Sequence, residues 1–406
     1  MNRKDILELK RRFKKEDCTF TKMCGCYVNV EKEKVLEFRE TFLTLPDTDL
    51  FKYLEISKKV LSGGVGNNLL ELGFSLDDNF ESEKQNFLMR LRKSKLKDDQ
   101  LLGQLYDSII DNCDISGNYL IVIFHDAYDV IVKTSDNIKM DDSEEVYEYI
   151  LCAICPVSLS KPGLGYFKEE GKIKARIRDW VVTVPTLGFV YPAFIDRSSD
   201  VNALMYYTKN TKEPHPKLME NTLGCQSKQT ATIQRETFQS IIKSTVGTDD
   251  EISEKIYTDI QENLNTMIEE QGEIYEATDS KPIPLSKEKV KAILINSGVS
   301  EEATAKIEAS YTEEFGEDLP LAETLVDAKL IKANAHKKKE AQLLKKVESL
   351  ENILEESHPQ NYAVVLHVKP DKLPDVRTEL INGQRCIIVP IKEDEEASIN
   401  GMKHMV

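Results

Sequence analysis

Tyr119-Leu120-Ile121-Val122-Ile123-Phe124 is the stretch on which the fold class turns. It is an unbroken apolar run, rich in β-branched and aromatic residues, with no helical spacing. Such a run reads as a strand buried on both faces. Downstream, Val146 to Leu159 is rich in Tyr, Ile and Cys and reads as a second strand. Ile177 to Ile195 supplies one or two more, and Ala203 to Tyr207 a short last one. Pro156, Pro162, Pro185 and Pro192 keep these runs short and bounded by turns. A mostly antiparallel sheet around 118–208 is the expectation.

Working outward, Cys26 to Val30 and Val35 to Phe38 flank a polar Glu-Lys-Glu-Lys turn and read as a hairpin. The first segment is a basic amphipathic helix, with Ile6, Leu7, Leu9 and Phe13 on one side. Another helix opens at Pro46 to Asp49. Leu50, Phe51, Leu54 and Leu61 lie at helical spacing there, and Gly63-Gly64 stops it. Helices follow near 81–94, 97–112, 234–245 and 250–270. Residues 1–272 thus read as an α/β body, 273–285 as a polar linker containing Pro282 and Pro284, and 286–406 as a helical region ending in a β hairpin. In that last part Leu343, Leu344, Val347, Leu350 and Leu354 form a stripe able to seat another helix. Tyr362 to Val368 reads as a strand. Asn382-Gly383 joins a further strand pair as a type I′ turn, which demands positive φ at both positions. The last dozen residues are expected to fray. The fold class is α+β.

Composition bounds the function. The 406 residues are 40% hydrophobic and 31% charged, enough for a sizeable core without disulfide or metal staples. No run approaches the roughly 18 apolar residues of a spanning helix. Met1 to Lys15 is charged throughout and does not read as a secretory signal. The formal charge of −16 argues against coating a polyanion with the whole surface. The eight cysteines read as thiols of a reducing compartment, so a cytoplasmic location is expected.

Several constellations compete with plainer accounts. Cys18, Cys24 and Cys26 are close enough to suggest a metal, but the spacing is unlike zinc pairs, and buried thiols in a hairpin are preferred. Cys152 and Cys155 have the redox Cys-x-x-Cys spacing, yet residues three apart on a strand face opposite ways. Ser62-Gly-Gly-Val-Gly-Asn-Asn68 follows a helix and lacks the P-loop lysine, so it reads as a helix stop. His125, Asp126 and Asp129 sit just past the buried strand, and Asp196 with Arg197 follows another. Should these loops meet, they form a polar site with Arg197 as an anion clamp, suited to a hydrolase or transferase. Basic clusters at Arg11 and Arg12, at Arg90, Arg92 and Lys93, and at 336–346 offer nucleic-acid or ribosome contacts should they converge.

Six motifs carry a resemblance. They are Cys24-Gly-Cys-Tyr-Val28, Ser94 to Asp99, Val146 to Pro156, Ser160-Lys-Pro-Gly-Leu164, Arg178-Asp-Trp-Val-Val182 and Gly188 to Arg197. Together they resemble a family of bacterial cytosolic proteins, mostly from Gram-positive anaerobes, that carries a domain-of-unknown-function label. The resemblance covers nearly the whole chain and is strongest over 1–245. It implies a cytosolic protein and transfers no activity, cofactor or site.

The resulting expectation is a non-enzymatic binding or regulatory protein with a protein partner, no cofactor and no membrane contact. A nucleic-acid- or ribosome-associated protein is the first alternative, and an enzyme at the sheet end the second.

Overall fold

Alternation along Asn118–Val130 sends Tyr119, Ile121 and Ile123 to one side and Leu120, Val122 and Phe124 to the other, all of them buried. The structure, a computed structural model, describes residues 1–75, 82–130, 145–246, 250–274, 282–316, 318–356, 366, 368–391, 396–399 and 402–405. Within them the chain forms two compact units, Met1–Lys332 and Ala333–Val406.

The first unit opens with α1 (Arg3–Arg12), the β1–β2 hairpin (Phe20–Val28, Lys34–Thr41), α2 (Asp47–Val60) and β3 (Leu69–Gly73). Helices α3 (Glu83–Lys93) and α4 (Asp99–Asn112) lead to the long strands β4 (Asn118–Val130) and β5 (Glu145–Leu159). Then come β6 (Leu164–Phe167), β7 (Lys172–Ala175), β8 (Trp180–Val182), β9 (Leu187–Tyr191), β10 (Ala193–Ile195), β11 (Ser198–Asp200) and β12 (Ala203–Thr208). The main sheet is antiparallel, in the order β2-β1-β4-β5-β9-β12-β3, with β8 pairing β5. It reaches beyond the expected 118–208 because β1, β2 and β3 from earlier in the chain join it.

Two cores lie on its two faces. Leu88 and Leu91 of α3 and Leu102, Leu105 and Ile109 of α4 pack on the side of Ile121 and Ile123. Ile6 and Leu9 of α1 and Leu50 and Leu54 of α2 pack on the side of Val122 and Phe124. Leu7 and Phe51, expected in the same apolar stripes, are exposed, since their positions turn away from the sheet. The remainder of this unit is helical: α5 (Ala231–Val246), α6 (Asp250–Ile274), α7 (Lys287–Asn296), α8 (Glu301–Phe315) and α9 (Ala322–Leu325) surround Ile242, Ile260, Leu264, Leu294, Ile307 and Tyr311. The glycine-rich loop holds the start of α5. Gly66 O accepts from Ala231 N at 2.8 Å, and Asn67 Oδ1 accepts from the Thr232 amide and hydroxyl.

Most of α10 (Ala328–Glu356) belongs to the second unit, where Leu343, Leu344, Val347 and Leu350 are exposed. The Asn382-Gly383 turn joins β13 (Arg377–Ile381) to β14 (Gln384–Ile388) with φ of 53° and 82°. The final residues do not simply fray: β15 (Glu396–Ile399) pairs with β16 (Met402–Met405). Most of the expected linker and of the expected strand at 362–368 lies outside the described residues. Among the described residues no helix is long and apolar enough to cross a membrane.

Candidate functional site

The structure brings part of the predicted polar constellation together and divides the rest. Asp196 and Arg197 occupy the two-residue turn between β10 and β11, with φ of 48° and 63°. Helix α1 ties that turn to β4. Arg197 pairs with Glu8 at 3.1 Å, and Glu8 accepts a hydrogen bond from Tyr128 at 2.8 Å. The Arg12 guanidinium lies 3.7 Å from the centroid of the Tyr128 ring and donates to Thr19 at 2.7 Å. Thr19 donates in turn to Asp126 at 2.6 Å, and the Tyr149 hydroxyl reaches the other Asp126 oxygen at 2.7 Å. Asp126 also accepts from the Ala127 amide at 2.9 Å. Buried at 1% exposure, this carboxylate is held by three donors. The network clamps α1 and the β10–β11 turn to the sheet.

His125 goes the other way. Strand alternation turns it to the α3 face, where Nδ1 meets Thr21 at 2.7 Å and Nε2 meets Glu148 at 3.0 Å. It is fully buried, and burial holds its pKa below 6.5 even though Glu148 opposes the shift. Asp129 is exposed. The five candidates therefore do not share one cavity face.

The basic helices do not converge either, since α1 and α3 pack on opposite faces of the sheet. Arg92 is half-buried and bonds the Glu148 carbonyl, while Arg11, Arg90 and Lys93 are exposed. Cys24 and Cys26 pack in the core beside α3 and α4, whereas Cys18 packs in the opposite one. Burial pushes Cys18 up to about 11 and Cys26 up to about 12. No group of three or more metal-type side chains stands together among the described residues. Cys152 and Cys155 lie on opposite faces of β5.

Sequence reasoning passed over a different feature. Beyond the β5–β8 pairing, residues 160–179 leave the sheet as a two-stranded arm. Ser160 with Asp179 and Gly163 with Arg176 continue the pairing outward to β6 and β7. Leu164 stands opposite Ala175 and Tyr166 opposite Ile173, which makes one face apolar. Gly165 stands opposite Lys174 and Phe167 opposite Lys172, which makes the other face cationic. Both faces are open: every residue from Lys168 to Val182 is exposed, and Leu164, Tyr166 and Ile173 keep 76%, 69% and 71% of their surface. The signal that locates the arm is the strict alternation Lys172-Ile-Lys-Ala-Arg-Ile-Arg178.

At the arm's base lies a groove of about 620 Å³ between β2, α2 and residues 182–185. Met23, Leu36, Phe38, Tyr53, Ile56 and Leu120 make its floor apolar. Glu40, Asp49 and Glu55 make its rim acidic, and Lys52 is already paired with Glu55 at 3.1 Å. Burial, then the nearby Asp49 and Glu40 carboxylates, push the Tyr53 hydroxyl above its usual pKa.

No curated protein matches the chain. The profile of a family described as a domain of unknown function, DUF4317, matches residues 1–402, and the chain belongs to that family.

Proposed function

We propose that this is a non-enzymatic binding protein whose docking elements are the arm and the acidic-rimmed groove at its base. The observation that carries this is the apolar face of the arm, where Leu164, Tyr166 and Ile173 stand open to solvent. A contiguous exposed patch of large apolar side chains on an otherwise well-packed fold marks an interaction site. His125 and Asp126, the residues best suited to acid–base chemistry, are buried in satisfied hydrogen bonds, and neither lines the groove.

A second reading rests on the opposite face of the arm. Lys172 and Lys174 flank Phe167 there, and Arg176 and Arg178 follow, a pattern that suits a phosphate backbone.

One experiment separates the two. Tagged protein is recovered from its host cytosol at low and high salt, beside the triple variant Leu164→Ser/Tyr166→Ser/Ile173→Ser. A stoichiometric protein that survives the high-salt wash and is lost from the variant supports docking through the apolar face. Salt-labile nucleic acid held equally by both proteins supports the cationic face instead. Identical recovery of both proteins, each bare and each monomeric, would sink the docking proposal.

A further inference from the structure

The arm and the groove are open surfaces of the same unit, and their chemistry is complementary. The arm offers an apolar face, and Lys161, Lys168, Lys172, Lys174, Arg176 and Arg178 outnumber Glu169, Glu170 and Asp179 along it. The groove offers an apolar floor below the Glu40, Asp49 and Glu55 carboxylates. We propose that two copies of the chain pair by reciprocal arm exchange, the apolar face of each arm seating in the groove of the other copy. The inference rests on the docking function proposed above and names the occupant.

Three observations favour a second copy. Charge comes first: a cationic arm on a chain of net charge −16 finds an acidic partner in its own kind. Lys174 is held over the Phe167 ring and paired with Glu170, but the long stems of Lys172 and Arg176 let their charged heads bend over the edge of a narrow ribbon to the rim while the apolar face points down. Position comes second. Residues 182–185 are at once the root of the arm and a wall of the groove. A two-fold axis beside that root places both arms in both grooves and closes the assembly as a dimer. The third is the sheet edge. Strand β2 ends the sheet, and its Leu36, which lines the groove, is 56% exposed. Exposed apolar edges of this kind are normally covered, and a seated arm covers this one.

The test is sedimentation velocity on the full chain from about 1 to 100 µM. Wild-type protein is expected at twice the 46.3 kDa chain mass. Two charge-reversed proteins are compared, Glu40→Lys/Asp49→Lys/Glu55→Lys in the groove and Lys172→Glu/Lys174→Glu/Arg176→Glu in the arm. Each alone is expected to be monomeric, with dissociation constants raised about 100-fold or more. Mixed one to one they are expected to restore the dimer, because both arm–groove contacts then pair opposite charges. A misfolded variant would not be rescued in this way. A monomeric wild type across the range overturns the exchange, as does a wild-type-like dimer in either variant. A monomer that still retains another protein through Leu164, Tyr166 and Ile173 overturns the exchange and leaves the docking function standing. Arm-dependent binding of a labelled single-stranded oligonucleotide by a monomeric wild type overturns it in favour of the cationic face.

Discussion

Phe38 lies directly across the β1–β2 ladder from Gly25, and its ring covers the glycine. A Cβ at position 25 would fall inside contact distance of the ring, so the glycine is what lets Phe38 lie flat as part of the groove floor. Gly25→Ala is expected to drive the ring outward. The strain should cost about 1–3 kcal/mol in denaturant unfolding and weaken self-association in sedimentation. An unchanged unfolding midpoint would mean that the ring has room to move.

Asp126 and Tyr149 give a second prediction. The buried carboxylate takes one of its three hydrogen bonds from the Tyr149 hydroxyl. Tyr149→Phe removes that donor and keeps the ring. A loss of about 1.5–3 kcal/mol is expected, the range for hydrogen bonds to charged groups. Asp126→Ala should cost more, because it leaves the Tyr149 and Thr19 hydroxyls unmatched. A neutral effect of both changes on urea unfolding would show that the clamp on α1 contributes nothing to stability.

His125 predicts a pH dependence. Burial lowers its pKa in the folded chain below the unfolded value of 6.5. The unfolded state therefore binds more protons in this range, and stability rises with pH. Its contribution is fully present above 6.5 and is lost as pH falls through the lower folded value. Urea midpoints from about pH 7.5 down to 5 should decline, and His125→Gln should flatten the decline. Some slope should persist, because burial also lowers His215. An identical slope in the variant would remove His125 as its source.

The thiols should divide sharply. Seven of the cysteines are buried, and Cys386 is only partly covered. Burial raises Cys155 and Cys225 to about 12, which leaves almost no thiolate near neutrality. A chromogenic disulfide reagent should meet one fast thiol in the native protein and eight after denaturation. Rapid native labelling of Cys152 or Cys155 would contradict the buried placement of β5.

The arm should be dispensable for folding. In protein diluted until it is monomeric, Leu164→Ser and Ile173→Ser touch exposed side chains and should shift stability by no more than about 0.5 kcal/mol. Phe189→Ala, within β9 at 2% exposure, should cost about 3–5 kcal/mol. A large loss in the arm variants would show that its apolar face packs within the monomer.

Much of the fold is legible in the sequence because its signals are local. The run from Tyr119 to Phe124 needs apolar cover on both sides wherever it lies, so it reads as a central strand. Asn382-Gly383 tolerates positive φ intrinsically, so its turn follows from the residues alone. The fate of His125 and Asp126 is different. Neighbours in sequence, they are parted by the pleat, and only the packing of α1 and α3 on opposite faces decides what each one meets. The groove and the arm depend still more on tertiary structure. Lys172 to Arg178 alternates as any half-buried strand would, and nothing local says that neither face is covered. What the sequence by itself determined is where strands, helices and turns form, since backbone preference and apolar period are properties of short segments. Which apolar faces stay open, and which carboxylates rim them, was decided by elements far apart in the chain, because exposure depends on what packs against a residue.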